Sequence, residues 1–265
     1  MQTFARPSFA SDRNLEFSII IPTLNEGAHI GRLLNSLHSQ LIDNFEIIIA
    51  DGGSQDATAK IARSFGARVF VLEGAKEFEA RNYAAAQSKA SILVFTCADV
   101  IFPRTALKSV LHQFQTDSGL VALTGPDIPY DGGPTLWFTY GLYNILRLLF
   151  SRLPYPLKAF SSSTNFLVVR RETFEHSGGF RANDVNADGL MGRYLASHHK
   201  TFFDSRLSVY ISARRALSWG FSRFARHYLY VVENFFPRIS KQQWFQMLKS
   251  GSSERHGQIH GDKEA

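Results

Sequence analysis

The sequence predicts an α/β fold built on a mainly parallel sheet, and three features of the chain carry that prediction. Short β-branched runs alternate with stretches of helical periodicity along the first half of the chain. Several of the runs end in proline, glycine or aspartate, which favour turns. The helical stretches are long enough to be crossovers, which make the strands parallel and cover both sheet faces. Because ligands bind beyond the carboxyl ends of strands in such sheets, we expect the functional site there.

The elements of the first half follow from these patterns in chain order. The predicted strands are residues 17–21, 45–50, 68–72 and 92–96, and the predicted helices are residues 30–41, 57–65, 77–88 and a helix after Pro103. The second half is less regular, with helices predicted at residues 136–153, 187–197 and 217–236 and a strand at residues 165–169. No internal repeat is seen in the sequence.

Composition limits the class of protein. The single cysteine, Cys97, rules out an intramolecular disulfide and a multi-cysteine metal site, which fits a cytoplasmic protein. Residues 1–16 lack the apolar run of a secretory signal and are expected to form a flexible leader. No stretch reaches the roughly 18 uncharged apolar residues of a membrane span. The net charge of +6 favours anionic partners.

Asp51 ends a predicted buried strand and is followed by Gly52-Gly53. A carboxylate there offers an acceptor to the N–H of a nucleobase, and the glycines let a ligand approach the backbone closely. The alternative is that Asp51 only stabilises the turn, a common role of aspartate at such positions. Both interpretations remain open at this point.

Six motifs occur in an order that resembles the inverting family 2 glycosyltransferases of GT-A fold. They are Ile-Ile-Pro-Thr-Leu-Asn-Glu (20–26), Ala-Asp-Gly-Gly-Ser-Gln-Asp-Ala-Thr (50–58), Ala-Arg-Asn-Tyr-Ala (80–84), Val-Phe-Thr-Cys-Ala-Asp-Val (94–100), Gly-Gly-Phe (178–180) and Ala-Asp-Gly-Leu-Met-Gly-Arg (187–193). The resemblance implies a Rossmann-like nucleotide-binding sheet, an acceptor-binding second half and a C-terminal helical segment. It covers roughly residues 17–221 of the chain.

The resemblance also implies a set of donor-binding residues. By motif position they are Pro22, Thr23, Leu24, Glu26, Asp51, Gly53, Arg81, Cys97, Ala98 and Asn165. Arg81 would face the donor phosphates, and its alternative role is that of a solvated surface arginine. Asn165 would lie near the donor or acceptor sugar.

Asp99 occupies the last position of a motif that in the family reads Asp-x-Asp and holds Mg²⁺ or Mn²⁺ against the donor diphosphate. The triplet here is Cys97-Ala98-Asp99, so the first carboxylate is missing. A thiol is a poor ligand for Mg²⁺, and we therefore expect a weakened divalent cation site that rests on Asp99 and phosphate oxygens. The alternative is that Asp99 is a turn residue.

Asp188 matches the family's general base, which would accept the proton of the acceptor hydroxyl. Its alternative role is to cap the helix that follows, and the two roles are compatible. Arg214 and Arg215 match a basic pair of related transferases and are candidates for binding the diphosphate or a phosphorylated acceptor. A solvated basic turn is the alternative for that pair.

The resulting division of the chain has five parts. They are a leader (1–16), a nucleotide-sugar-binding half (17–125), an acceptor-binding half of the same domain (126–215), an aromatic and basic helical segment (216–250) and a disordered tail (251–265). The predicted function is metal-dependent inverting transfer of a sugar from a nucleotide diphosphate sugar. A catalytically silent nucleotide-sugar-binding protein and a nucleotidyltransferase are the two rival functions.

Two helical patterns suggest a membrane surface. Residues 136–153 carry a wide apolar face with one polar stripe, and residues 217–236 mix aromatic with basic side chains. The first pattern also fits a helix buried in the core. We expect a sugar or lipid-linked acceptor, peripheral contact with an anionic membrane at its cytoplasmic face, and no nucleic-acid partner.

Overall fold

The computed structural model describes residues 15–155, 157–184, 186–214 and 216–217. Its centre is a seven-stranded sheet of order β3-β2-β1-β4-β8-β6-β9. The strands are β1 (Phe17–Thr23), β2 (Phe45–Asp51), β3 (Arg68–Val71), β4 (Ile92–Thr96), β6 (Leu120–Thr124), β8 (Phe166–Arg170) and β9 (Lys200–Phe203). The strands β3, β2, β1 and β4 are parallel, and β8 pairs antiparallel with both β4 and β6. The predicted α/β class is confirmed.

A second, three-stranded sheet of order β5-β10-β7 lies beyond the ends of the large one. Its strands are β5 (Val100–Ile101), β7 (Asp127–Pro129) and β10 (Val209–Ile211). The helices are α1 (Ile30–His38), α2 (Thr58–Ser64), α3 (Glu77–Ala86), α4 (Ala106–Thr116), α5 (Pro134–Ser151), α6 (Arg171–His176) and α7 (Ala187–His198), with a 3₁₀ turn at Leu157–Ser161.

Alternate residues of each central strand enter two different cores, because successive side chains of a strand point to opposite faces. Ile19 and Val94 belong to the cluster that also contains residues of α1 and α4. Ile20 and Phe95 belong to the cluster that contains residues of α3 and α7. Both faces of the sheet are therefore covered, and the strand ends are left as the place where loops can form a cleft.

The structure also differs from the sequence expectations. The first helix ends at His38 rather than at position 41, and Leu41 is exposed. Strands β5, β6, β7, β9 and β10 were not predicted; four of them are only two to four residues long, too short for a clear period. Residues 1–14 of the predicted leader, the helix at 217–236 beyond its first residue, and the tail lie outside the described residues.

Candidate functional site

The loops that follow β1 and β2 are tied together at the carboxyl edge of the sheet. The backbone N–H of Gly52 donates to the Thr23 carbonyl at 2.8 Å, and the Asn25 N–H donates to the Ser54 hydroxyl at 2.8 Å. In the other direction, the Gln55 N–H donates to the Asn25 side chain. Such reciprocal bonds fix the two loops as one surface, as the predicted nucleoside pocket requires.

Asp51 is almost fully buried beneath this surface, with 1% of its area exposed. Its Oδ1 accepts from the N–H groups of Gly53 (3.0 Å) and Ser54 (2.7 Å). Its Oδ2 accepts from the hydroxyls of Thr23 (2.8 Å) and Ser54 (2.7 Å). A carboxylate has about four acceptor positions, so a base N–H could bind it only by displacing one of these donors. These contacts match the turn-stabilising alternative, and recognition of the base by Asp51 stays a prediction.

Gly53 makes that turn with a φ of 98°, which side-chain-bearing residues rarely adopt. Asn25 in the facing loop also lies in the left-handed region, with a φ of 52°. Of the other predicted residues of these loops, Pro22 and Thr23 are buried, whereas Leu24 is half-buried. The backbone and the half-buried side chains are thus what the loops present to a ligand.

Arg81 lies under the loop that follows β4 instead of facing the cleft. Its guanidinium is fully buried and donates to Glu77 at 2.9 Å, to the Thr96 carbonyl at 3.0 Å and to the Cys97 sulfur at 3.2 Å. Burial lowers the pKa of Arg81, but its neighbours Cys97 and Glu77 outweigh that effect and raise it above its ordinary value. Arg81 therefore positions the loop, and neither a direct phosphate contact nor a solvated arginine fits this burial.

Cys97 is held from a second side. Its sulfur lies 3.6 Å from Oδ1 of Asn165, whose backbone carbonyl also accepts from the Thr96 hydroxyl. Ala98 is buried in the core. The triplet at 97–99 is thus anchored by its first two residues, which leaves the third, Asp99, to extend toward the cleft.

Asp99 meets two other predicted site residues. Arg214 donates from Nε to Asp99 Oδ2 at 3.1 Å and pairs through Nη2 with Glu26 Oε1 at 2.5 Å. One guanidinium therefore bridges carboxylates that come from the β1 and β4 loops. The side chains of Arg214 and Asp99 are 26% and 18% exposed, so this cluster borders solvent.

Asp188 lies in the first turn of α7, where the helix dipole stabilises negative charge. Its Oδ1 accepts from the Gly189 N–H at 2.8 Å. The preceding residue, Ala187, is fully buried in the same core cluster as Phe95 of β4. This packing attaches the start of α7 to the strand that leads to Asp99.

Comparison with known proteins identifies the family. Residues 18–178 match the model of glycosyl transferase family 2. The chain belongs to glycosyl transferase family 2. The O-antigen chain rhamnosyltransferase WbaN of Salmonella anatum is 28% identical over 206 residues, which are 73% of this chain and 65% of WbaN. This family 2 chain thus spans less than two thirds of the length of that relative.

Solved structures agree on the GT-A fold. S. aureus TarS 1–349 has a TM-score of 0.65 at 18% identity, covering 90% of this chain and 79% of that one. Another structure of TarS 1–349 is a complex with UDP-GlcNAc. The mannosyltransferase PcManGT of Pyrobaculum calidifontis, in complex with GDP-Man and Mn²⁺, has a TM-score of 0.62 at 17% identity, covering 91% and 70%.

The residues around Asp99 fit a divalent cation only together with a ligand. Within the described ranges, no group of three or more His, Cys, Asp and Glu side chains could hold a metal. However, the bridge by Arg214 shows that a positive group is accommodated beside Asp99 and Glu26. Mg²⁺ is commonly bound by one or two carboxylates plus substrate phosphates, which suits this donor set.

A buried polar network in this family 2 chain was not predicted from the sequence. Arg147 of α5 pairs with Asp127 of β7 at 3.2 Å, and each side chain is only 1% exposed. Oδ2 of Asp127 also accepts from Ser163 at 3.1 Å and from Asn165 at 3.2 Å. Through Asn165 the network supports Cys97 at the cleft. The available signal was the lone arginine in the polar stripe of an otherwise apolar helix.

Two other expectations concern the second half. Arg215 lies outside the described residues, so its predicted phosphate role stays a prediction. No described helix is both long enough and apolar enough to cross a membrane.

Proposed function

We propose that this chain transfers a sugar from a nucleotide diphosphate sugar to a hydroxyl group of an acceptor, with inversion at the anomeric carbon. The observation that carries the proposal is the Arg214 bridge between Asp99 and Glu26 at the edge of the tied β1 and β2 loops. The bridge places two carboxylates and one guanidinium at the strand ends, where α/β sheets bind ligands. The family assignment and the complexes of TarS with UDP-GlcNAc and PcManGT with GDP-Man support the same donor class.

In this proposal the nucleoside lies on the surface formed by residues 22–26 and 51–54. Asp51 holds the loop beneath the base, and the donor contacts come from the backbone and from half-buried side chains such as Leu24. Cys97, anchored by Arg81 and Asn165, lies where a small side chain leaves room for the ribose.

The diphosphate lies against Arg214. When a donor binds, the guanidinium exchanges a carboxylate partner for phosphate oxygens, to which it can donate a forked pair of bonds. Asp99, released from that ion pair, would hold a Mg²⁺ or Mn²⁺ ion, which would neutralise negative charge on the leaving nucleotide.

Asp188 acts as the general base. Its carboxylate accepts the proton of the acceptor hydroxyl while that oxygen bonds to the anomeric carbon and the bond from this carbon to the diphosphate oxygen breaks. The name of WbaN, an O-antigen chain rhamnosyltransferase, supports a saccharide acceptor, which in this chain would be free or lipid-linked.

Nucleotide release from UDP-GlcNAc and GDP-mannose, measured with Mn²⁺ and a saccharide acceptor, tests the proposal. We expect Asp188→Asn to lower kcat about a hundredfold or more with little change in KM for the donor, because a general base contributes to chemistry and not to donor binding. The matched control is Asp184→Asn, an exposed carboxylate four residues earlier whose Oδ1 accepts from the Asn186 N–H.

Each other result has a defined meaning. Wild-type turnover in Asp188→Asn would remove the assignment of the base. Tight binding of UDP or GDP without release from any donor would favour the silent binding protein. Release of pyrophosphate from a nucleoside triphosphate in the presence of a sugar phosphate would favour the nucleotidyltransferase.

A further inference from the structure

Helix α5 packs with its polar stripe toward the protein. Arg147 at the centre of the stripe donates to Asp127 Oδ2 at 3.2 Å, to Thr124 Oγ1 at 3.1 Å and to the Ser161 carbonyl at 3.0 Å. One turn earlier, the side chain of Asn144 donates to the Asp127 carbonyl and accepts from its N–H. A helix that covers a core normally buries its apolar side, so α5 has the opposite orientation.

The consequence is a continuous apolar surface on the outside of the molecule, which we name the α5 apolar face. Its side chains are between 40% and 74% exposed and are Trp137, Phe138, Leu142, Ile145, Leu146, Leu149 and Leu153. A patch of this size on one helix is a typical site of protein or membrane contact. The buried Arg147 ion pair fixes its orientation, since rotating the helix would bury apolar residues but strand a charge.

Charge and aromatic placement identify the kind of partner. The sequence has no aspartate or glutamate between Asp131 and Glu172, although it has arginine and lysine there. Arg152 follows the helix and is exposed, and Lys158 is partly exposed in the next turn. Exposed aromatic side chains lie at both ends, with Trp137 at the start and Tyr155 just past the end. Aromatic residues at the ends and basic residues beside an apolar face suit an anionic lipid surface.

We propose that the α5 apolar face docks onto the surface of a bilayer containing anionic lipid, with the helix lying in the interfacial plane. The chain leads from α5 through the 3₁₀ turn at Leu157–Ser161 directly to Asn165 beside Cys97. Docking therefore brings the cleft close to the lipid headgroups. The idea that the acceptor is lipid-linked rests on the proposed function. The docking of the α5 apolar face does not.

Vesicle flotation of the full chain tests the proposal, using phosphatidylcholine vesicles with and without phosphatidylglycerol. We expect flotation with the anionic vesicles, weakened by salt, and a loss of at least about tenfold in partitioning for Phe138→Ser combined with Ile145→Ser. The matched control is Leu41→Ser combined with Phe202→Ser, which removes two comparably exposed apolar side chains away from α5. A thermal melt of each variant confirms folding.

A depth measurement separates α5 from the rest of the chain. The sequence has tryptophan only at positions 137, 219 and 244, so Trp219→Phe with Trp244→Phe leaves Trp137 as the single reporter. We expect brominated phosphatidylcholine mixed with phosphatidylglycerol to quench Trp137 fluorescence, because that side chain would enter the acyl boundary.

Three outcomes would overturn the inference. They are no flotation with anionic vesicles, flotation without quenching of Trp137, and a dimer in solution that the α5 double variant converts to monomer without any vesicle binding. None of these measurements uses a sugar donor or acceptor. A failure of lipid docking is therefore distinguishable from a failure of sugar transfer.

Discussion

The β1–β2 loops and the region around Arg147 are both held by buried carboxylates, but by different means. Asp51 is surrounded by neutral donors from residues close to it in the fold, two hydroxyls and two backbone N–H groups. Asp127 is paired with a charged guanidinium from a helix twenty residues away and also anchors Ser163 and Asn165. Loss of one donor at Asp51 should therefore be a local event. Loss of Arg147 should affect helix α5, strand β7 and residues 161–165 at once.

The largest effect is expected from Arg147→Met. Removing the guanidinium leaves the Asp127 carboxylate buried without its charged partner, and breaking a buried pair typically costs about 3–5 kcal/mol of unfolding free energy. Urea denaturation followed by circular dichroism measures the loss. Because Asn165 supports Cys97, the remaining folded protein should also bind UDP or GDP more weakly.

The control for this prediction is Arg206→Met. Arg206 also pairs with an aspartate, Asp204 at 3.4 Å, but its side chain is 86% exposed. A pair with one exposed partner contributes about 0–1 kcal/mol, and the buried Asp204 keeps its bonds from Gln113 and from the Arg206 N–H, so this variant should remain close to wild type. Equal stability losses in the two variants would contradict the role assigned to the buried pair.

An intermediate effect is expected from Asp51→Asn. The amide has one acceptor oxygen, so its NH₂ group would face donors, and the loop should lose about 1–3 kcal/mol of stability. Isothermal titration with UDP and with GDP distinguishes the two roles of this residue. If Asp51 only shapes the loop, both nucleotides bind more weakly by a similar factor.

Direct recognition of the base by Asp51 would be supported if Asp51→Asn weakened the binding of UDP and of GDP by different factors. Uracil and guanine present different N–H groups, so a carboxylate that contacts the base should change the preference between UDP and GDP when it becomes an amide. A change in the ratio of the two dissociation constants, with loop stability unaltered, would contradict the turn-stabilising role.

The first half of the fold could be predicted because its elements have a visible period and end in turn residues. The predicted strand at 92–96 is β4 (Ile92–Thr96), and the others differ from the structure by a few residues at one end. Arg81 was assigned to the cleft by motif position, although its spacing from Phe78 and Ala85 places it on the buried face of α3. Helical periodicity would have been the better guide for that residue.

The second half could not be predicted as well, since pairing between distant polar groups leaves no period in a sequence. Arg214 and Glu26 are 188 positions apart, and only folding brings them together with Asp99. The orientation of α5 depends on Arg147 finding Asp127, which the width of the apolar face could not reveal. The sequence left core and membrane open for this helix for that reason.

The smallest effect is expected from Asp56→Asn, and it depends on pH. Burial raises the pKa of Asp56, but hydrogen bonds from the hydroxyl and N–H of Thr58 and from the Gly27 N–H outweigh it and lower the pKa below its ordinary value. A lowered folded-state pKa gives stability that is present above the unfolded pKa and is lost as pH falls through the folded value.

At neutral pH the Asp56→Asn variant should be less stable by about 1 kcal/mol or less, because the carboxylate is exposed. Urea denaturation between about pH 7 and pH 3 should show this difference shrinking only below the ordinary aspartate pKa. A difference that grows on acidification would mean that the loop does not hold Asp56 ionised, and that the bonds between the Asn25 and Ser54 loops hold the β1–β2 surface without it.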